Sequence, residues 1–136
     1  MHARHIDHIN LRIPPDGIDD AREFYGEKLG FGIEETLYET GAKPFFDVRL
    51  SPTAVIHLWP TDEFAPPVAT NYDHVAVVVE ESDEEIETEL ESAGVAIETV
   101  LDSPLGAVGE SAAVYVRDPF GYRVEIKTAP SDSSHG

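Results

Sequence analysis

Asn71-Tyr72-Asp73-His74-Val75-Ala76-Val77-Val78-Val79-Glu80 reads as a loop feeding a short apolar strand, with one histidine where the strand begins. Side chains alternate along a strand, so His74, Ala76 and Val78 share one face and Val75, Val77 and Val79 the other. The second face is apolar enough to pack beneath a helix, which turns His74 away from that helix. The chain opens in the same way. In Ile6-Asp7-His8-Ile9-Asn10-Leu11-Arg12-Ile13, residues Ile9, Leu11 and Ile13 form the apolar face, with His8, Asn10 and Arg12 opposite. Two strands that each start with Asp-His and turn the imidazole away from their core are the frame for the rest.

Working outward, the first strand spans about Asp7 to Ile13 and stops at Pro14-Pro15. A helix is predicted from Ile18 to Leu29, with Ile18, Ala21, Phe24, Tyr25 and Leu29 at helical spacing and Gly30 suited to the left-handed position after it. Phe31 to Thr40 reads as a strand, Gly41 to Pro44 as a turn, and Phe45 to Leu50 and Thr53 to Trp59 as two further strands. The aperiodic segment 61–70, with Pro66-Pro67, reads as a linker between a first module at 1–60 and a second at 71–128. The second module repeats the order. After the His74 to Val79 strand, Ser82-Asp83-Glu84-Glu85 forms a capping box for a helix that runs to about Ala93 and ends at Gly94. Strands follow at Val95 to Leu101, Ala112 to Arg117 and Tyr122 to Thr128, with Ser103 to Gly106 as a loop. The tail, 129–136, is small and polar and is expected to be flexible.

Each module is therefore a βαβββ unit, and Gly30-Phe31-Gly32-Ile33-Glu34 aligns with Gly94-Val95-Ala96-Ile97-Glu98 just after each helix. Four strands and one helix make a thin core. The expected fold is α+β, with two modules whose mixed sheets complete one another as a cupped half-barrel holding a metal site.

Composition narrows the function. The 136 residues carry 27 acidic and 9 basic side chains, a formal net charge of −18, which argues against nucleic acid or an anionic membrane as partner. An acid-coated chain with only Lys28, Lys43 and Lys127 as lysines fits a protein kept soluble in concentrated salt, where screening removes self-repulsion. Cysteine is absent, which excludes disulfides, thiolate ligands and a cysteine nucleophile. No apolar run approaches the roughly 20 residues of a membrane span, and Met1 to His5 leads into no signal-type hydrophobic segment. A cytoplasmic location is expected.

Alternation applied to the last strand of each module completes the constellation. Ala54, Ile56 and Leu58 face the helix, leaving His57 with Val55 and Trp59 on the other side. Val124 and Ile126 go inward and leave Glu125 opposite. Each module thus puts one ligand-type residue on its first strand and one on its last, facing away from its helix. If the sheets cup together, His8, His57, His74 and Glu125 converge on one divalent cation, an N/O set suited to Zn, Ni, Co, Fe or Mn. His2, His5 and His135 lack such context.

Five segments in order resemble the vicinal oxygen chelate superfamily, which includes glyoxalase I, extradiol dioxygenases, fosfomycin-modifying enzymes and bleomycin-binding proteins. They are His8-Ile9-Asn10-Leu11-Arg12-Ile13, Phe24-Tyr25 with Leu29-Gly30-Phe31, Ala54-Val55-Ile56-His57-Leu58, Asp73-His74-Val75-Ala76 and Asp118-Pro119-Phe120-Gly121-Tyr122-Arg123-Val124-Glu125. Small bacterial-type glyoxalase I is the nearest likeness. The resemblance places His8, His74 and Glu125 on metal-ligand positions and Arg12 on a substrate-contacting arginine. His57 falls where that enzyme has a second glutamate, so a dication here would keep a formal charge of +1 and favour an anionic ligand.

The function implied is a metal-dependent lyase or isomerase of lactoylglutathione lyase type, converting the thiohemiacetal of a 2-oxoaldehyde and a low-molecular-weight thiol through an enediolate. Glu125 and His57 would be the catalytic groups, and Arg12, Arg123 and Trp59 would line the substrate site. Two alternatives stand beside it. An extradiol-type dioxygenase would use Fe(II) or Mn(II) on His8, His74 and Glu125, with His57 left as a neighbouring acid/base or a non-ligand. A bleomycin-resistance-type binding protein would need no metal. Chains of this length in the family commonly form homodimers, so a homodimer is expected, with the site inside one chain or shared across two.

Overall fold

The structure, a computed structural model, describes residues 1–68, 71–102, 105–107 and 109–129, the side chains of 105, 109 and 110 excepted. The chain divides into two compact units between Pro66 and Pro67.

In the first unit, β1 (His8–Ile13) leads through a helical segment to β2 (Gly32–Glu34), a short helix α2 (Thr36–Glu39), β3 (Phe46–Ser51) and β4 (Ala54–Pro60). The sheet order is β1-β4-β3-β2, with the first and last strands parallel neighbours and the other pairs antiparallel. Leu11, Ile13, Phe46, Val48, Ile56 and Leu58 are buried on one side, together with Ala21, Phe24 and Tyr25 of the helix. That helix, α1, starts as an α-helix over Ile18–Ala21 and continues as a π-helix over Arg22–Lys28. Gly26 sits inside the π segment, and a Cβ there would meet Ile33 Cγ1 of β2 at 3.0 Å. Glycine is what lets helix and strand pack so closely.

The second unit repeats this plan. β5 (Val75–Val79) is followed by α3 (Asp83–Ser92), β6 (Thr99–Leu101), a small hairpin of β7 (Leu105–Gly106) and β8 (Gly109–Glu110), then β9 (Ala113–Arg117) and β10 (Arg123–Thr128). Its sheet order, β5-β10-β9-β6, again sets first and last strands side by side in parallel. Val77, Val114, Val116, Val124 and Ile126 are buried with Ile86 and Leu90 of α3. The capping box of Ser82 and Glu85 is formed as expected. Each unit is thus a βαβββ-type module around a four-stranded mixed sheet, and the fold class is α+β. No helix among the described residues is long and apolar enough to cross a membrane.

Three sequence expectations are corrected. The strand expected over Phe31 to Thr40 ends at Glu34, and the chain turns into α2. Arg22 explains the turn: its guanidinium meets Glu35 at 2.7 Å and Glu39 at 3.4 Å, two carboxylates that one helical turn brings to the same side. The strand expected from Val95 begins only at Thr99. Val95 instead closes the end of α3, its N–H bonding to Leu90 O at 2.9 Å while Gly94 N–H bonds to Glu91 O at 3.1 Å. This is a Schellman ending, with Gly94 at φ +75° and the Val95 and Leu90 side chains both buried. The loop expected over Ser103 to Gly106 is in part strand β7, while Ser103 and Pro104 lie outside the described residues. So do Ala69 and Thr70 of the linker and all of the tail beyond Ala129.

Candidate metal centre

Parallel pairing of β1 with β4 fixes which side chains share the face away from α1. Residues opposite one another in the register are His8 with Val55, Asn10 with His57 and Arg12 with Trp59. The His8 and His57 rings lie 4.2 Å apart between centroids. Antiparallel pairing of β3 with β4 then puts Asp47 opposite His57. Asp47 Oδ1 lies 2.5 Å from His57 Nδ1, and its other oxygen accepts from Lys43 Nζ at 3.0 Å. His8 Nδ1 meets Asp7 Oδ2 at 2.8 Å, and this bond holds the Asp7 carboxyl below its ordinary range. Phe45 packs its ring 4.2 Å from His57 and stacks at 5.6 Å on Trp59. The Arg12 guanidinium lies 5.2 Å above the Trp59 ring.

In the second unit His74 stands just ahead of β5, and β10 places Glu125 beside Ala76. His74 Nε2 lies 3.1 Å from Glu125 Oε1, while His74 Nδ1 meets Asp73 Oδ2 at 2.5 Å. The hydrogen bond from His74, with Arg123 adding to it, keeps the Asp73 carboxyl below its ordinary range. Glu125 is only 5% exposed, and its Oε2 lies 3.6 Å from Nζ of the equally buried Lys127. Arg123 is engaged with the Glu98 carboxylate at 3.1 Å and Asp73 at 3.5 Å, and lies 4.8 Å over the Tyr115 ring.

The ligand-type side chains therefore stand in two pairs, one in each unit. Among the described residues no three His, Asp or Glu side chains are gathered as ligands of a single ion. His2 and His5 are exposed, and His135 lies outside the described residues.

The donor chemistry fits a divalent cation. His8, His57 and His74 each have Nδ1 against an aspartate carboxylate, which can only accept, so Nδ1 is the protonated nitrogen. His8 and His57 can then present Nε2 as a lone pair, whereas His74 Nε2 also meets a carboxylate oxygen, Glu125 Oε1, a contact that a shared proton or a cation would satisfy. Carboxylate-backed imidazole is the usual arrangement behind metal-bound histidine. Bonds of about 2.1 Å at angles of roughly 90–110° put two ligand atoms some 3.0–3.4 Å apart, and the His74–Glu125 separation falls in that range.

Sequence reading did not single out four residues of this neighbourhood: Lys43, Phe45, Asp47 and Lys127. Lys127 could have been found by alternation, since it lies two positions beyond Glu125 on the same face. Asp47 is harder. Ser51 pairs with Ala54 but Asp47 with His57, because a bulge lies between Arg49 and Ser51. Counting back through the hairpin would put Val48 opposite His57.

A duplicated module of this kind, with imidazole and carboxylate side chains on the sheet face turned from the helix, defines a class of small α+β proteins. The chain belongs to the Glyoxalase/Bleomycin resistance protein/Dioxygenase superfamily, whose family model matches residues 5–126. Solved structures agree on the fold. A Bacillus anthracis protein assigned to the glyoxalase family is 24% identical with a TM-score of 0.75, covering 96% of this chain and 98% of its own. A glyoxalase/dioxygenase from Nostoc punctiforme is 24% identical at a TM-score of 0.70, covering 94% and 92%. A lactoylglutathione lyase from Agrobacterium tumefaciens is 21% identical at a TM-score of 0.63, covering 93% and 95%. No curated protein matches the chain.

Proposed function

We propose that this chain is a metal-dependent enzyme of glyoxalase type, acting on the thiohemiacetal of a 2-oxoaldehyde and a small thiol. The observation that carries this reading is that His8, His57 and His74 each have Nδ1 held by an aspartate carboxylate. This turns Nε2 of His8 and His57 into candidate ligands and leaves Nε2 of His74 beside Glu125 Oε1 at 3.1 Å, the spacing of two atoms that share one cation. His8, His57, His74 and Glu125 would hold one divalent cation, with the two pairs brought to it within one chain or across a homodimer. When bound, the cation supplies Lewis acidity toward two adjacent substrate oxygens. Glu125 is the carboxylate available to carry a proton between neighbouring carbons, since it sits beside His74 in a dry setting. Trp59 and Phe45 offer an apolar wall, and Arg12 at its edge suits an anionic part of the substrate.

The test is elemental analysis of the purified protein, then methylglyoxal turnover with several thiols in concentrated salt after reconstitution with Zn, Ni, Co or Mn. Metal at one equivalent per site with thiol-dependent turnover supports the proposal. Oxygen uptake on catechols with Fe(II) or Mn(II), without thiol-dependent turnover, would replace it with the dioxygenase reading. A protein that retains no metal under any of these conditions would overturn both.

A further inference from the structure

We infer that Lys43 is a positioning residue for His57: through Asp47 it locks the imidazole in the Nδ1–H form, so that Nε2 is held ready as a ligand. The metal reading proposed above gives this lock its purpose, but the lock itself is a property of the metal-free protein. Asp47 is held at both oxygens, by His57 Nδ1 at 2.5 Å on Oδ1 and by Lys43 Nζ at 3.0 Å on Oδ2. The Asp47 side chain is only 9% exposed, so losing either partner leaves a charged oxygen with little water to replace it. Lysine thus fixes the rotation of the carboxylate, and the carboxylate fixes the ring. Phe45 closes the third side, its ring 4.2 Å from His57 and 4.6 Å from Lys43 Nζ. A ring flip of His57 would put a carbon against Asp47 Oδ1 and leave that buried oxygen without its donor.

Histidine free in water carries its neutral-state hydrogen mostly at Nε2, the atom a metal needs bare. Holding the other tautomer in advance removes that rearrangement from the binding step. The other two histidines are backed less firmly. Asp73 behind His74 is 58% exposed, with Arg123 at 3.5 Å on the same oxygen that takes the imidazole, and Asp7 behind His8 is 81% exposed. The firmest clamp is at the position where this chain carries histidine in place of the glutamate of its glyoxalase I likeness.

The experiment uses metal-free full-length protein with nitrogen-15 histidine, reading the tautomer of His57 from two-bond nitrogen–proton correlations. Zinc affinity is measured alongside by competition with a chromophoric chelator. Wild type should show His57 as Nδ1–H. Lys43→Met should shift it toward the Nε2–H form and weaken zinc by about 10- to 100-fold. Lys43→Arg should restore both, and Lys28→Met, at a surface pair with Glu23, should change neither. If methionine disturbs the fold, Lys43→Gln replaces it, with a smaller shift in the same direction. An unchanged tautomer in folded Lys43→Met or Lys43→Gln protein overturns the inference, whatever the zinc result. A tautomer shift in a protein that takes up no zinc even as wild type would uphold the lock and refute the proposed function instead.

Discussion

Asp118→Ala is the perturbation that most directly tests how the second unit delivers Glu125. Asp118 is 5% exposed, and one oxygen, Oδ1, accepts from the Phe120 N–H at 2.9 Å and the Tyr122 N–H at 2.8 Å. The loop is closed by Asp118 N–H to Tyr122 O at 2.9 Å, and Gly121 takes φ +97° to complete the turn. β10 starts at Arg123, one residue beyond Tyr122. Each charge-assisted bond is worth about 1.5–3 kcal/mol net; some rehydration leaves a loss of about 3–5 kcal/mol for alanine. A domain with some 5–15 kcal/mol in hand would be left marginal, and for a chain of this size the melting temperature should fall by roughly 10–15 °C. Asp118→Asn keeps a carbonyl oxygen in place and should cost only about 1–2 kcal/mol. Urea unfolding at fixed salt, followed by circular dichroism, measures both. An alanine variant within about 1 kcal/mol of wild type, or an asparagine variant as damaged as alanine, would show that the two N–H bonds are not what holds the turn.

The other predictions can be read with ordinary assays. His74→Ala should abolish metal retention and His57→Ala should weaken it, by elemental analysis after gel filtration; full occupancy in the His74 variant counts against the site. His57→Glu places a second carboxylate opposite Asp47, so it should destabilise the fold by about 1–3 kcal/mol, and adding Asp47→Asn should recover most of that in a double-mutant cycle. Tyr72, whose hydroxyl donates to Arg123 O at 3.0 Å, has its pKa pushed up by burial from 10.0 to about 12. The unfolded chain gives up that proton first, so stability should be full below pH 10 and decline as pH rises through about 12. Urea midpoints across that window should show a shallower decline for Tyr72→Phe. Gly94→Ala meets no atom within 4 Å of the new Cβ, so its cost should be the left-handed backbone alone, about 1–2 kcal/mol by urea unfolding.

Alternation made much of this molecule legible. The faces read for β1, β4, β5 and β10 hold: Leu11, Ile13, Ile56, Leu58, Val77, Val124 and Ile126 are buried, and the registers leave His8, His57 and Glu125 on the faces turned from the helices. The repeat was legible too, because both helices end at a glycine with positive φ, Gly30 and Gly94. What failed was local structure decided by distant partners. The residues after Glu34 became α2 rather than strand, with Arg22, a dozen positions earlier, bridging Glu35 and Glu39. Val95 has strand-forming chemistry but a helix to finish. Asp47 was hidden by the bulge near Arg49, and no count along the chain reveals a bulge.

The two units also differ in a way that only the registers expose. The middle of the last strand carries a neutral donor in one unit, His57, and an anionic donor in the other, Glu125. Opposite His57 on the neighbouring strand is Asp47, whereas opposite Glu125 is Tyr115. A neutral imidazole has to be told which nitrogen to bare, and a carboxylate beside Nδ1 does that. A carboxylate donor needs no such instruction; once buried it needs a positive neighbour, and Lys127 Nζ lies 3.6 Å from its outer oxygen. Each donor is thus matched by a group of the charge it lacks, and Asp47 in turn by Lys43. In a chain with only three lysines, two stand within 4 Å of a carboxylate that is either a proposed ligand or its support. That placement is hard to account for by solubility, since the acidic surface would gain more from shedding them. It follows directly if both lysines hold buried carboxylates in register for a cation.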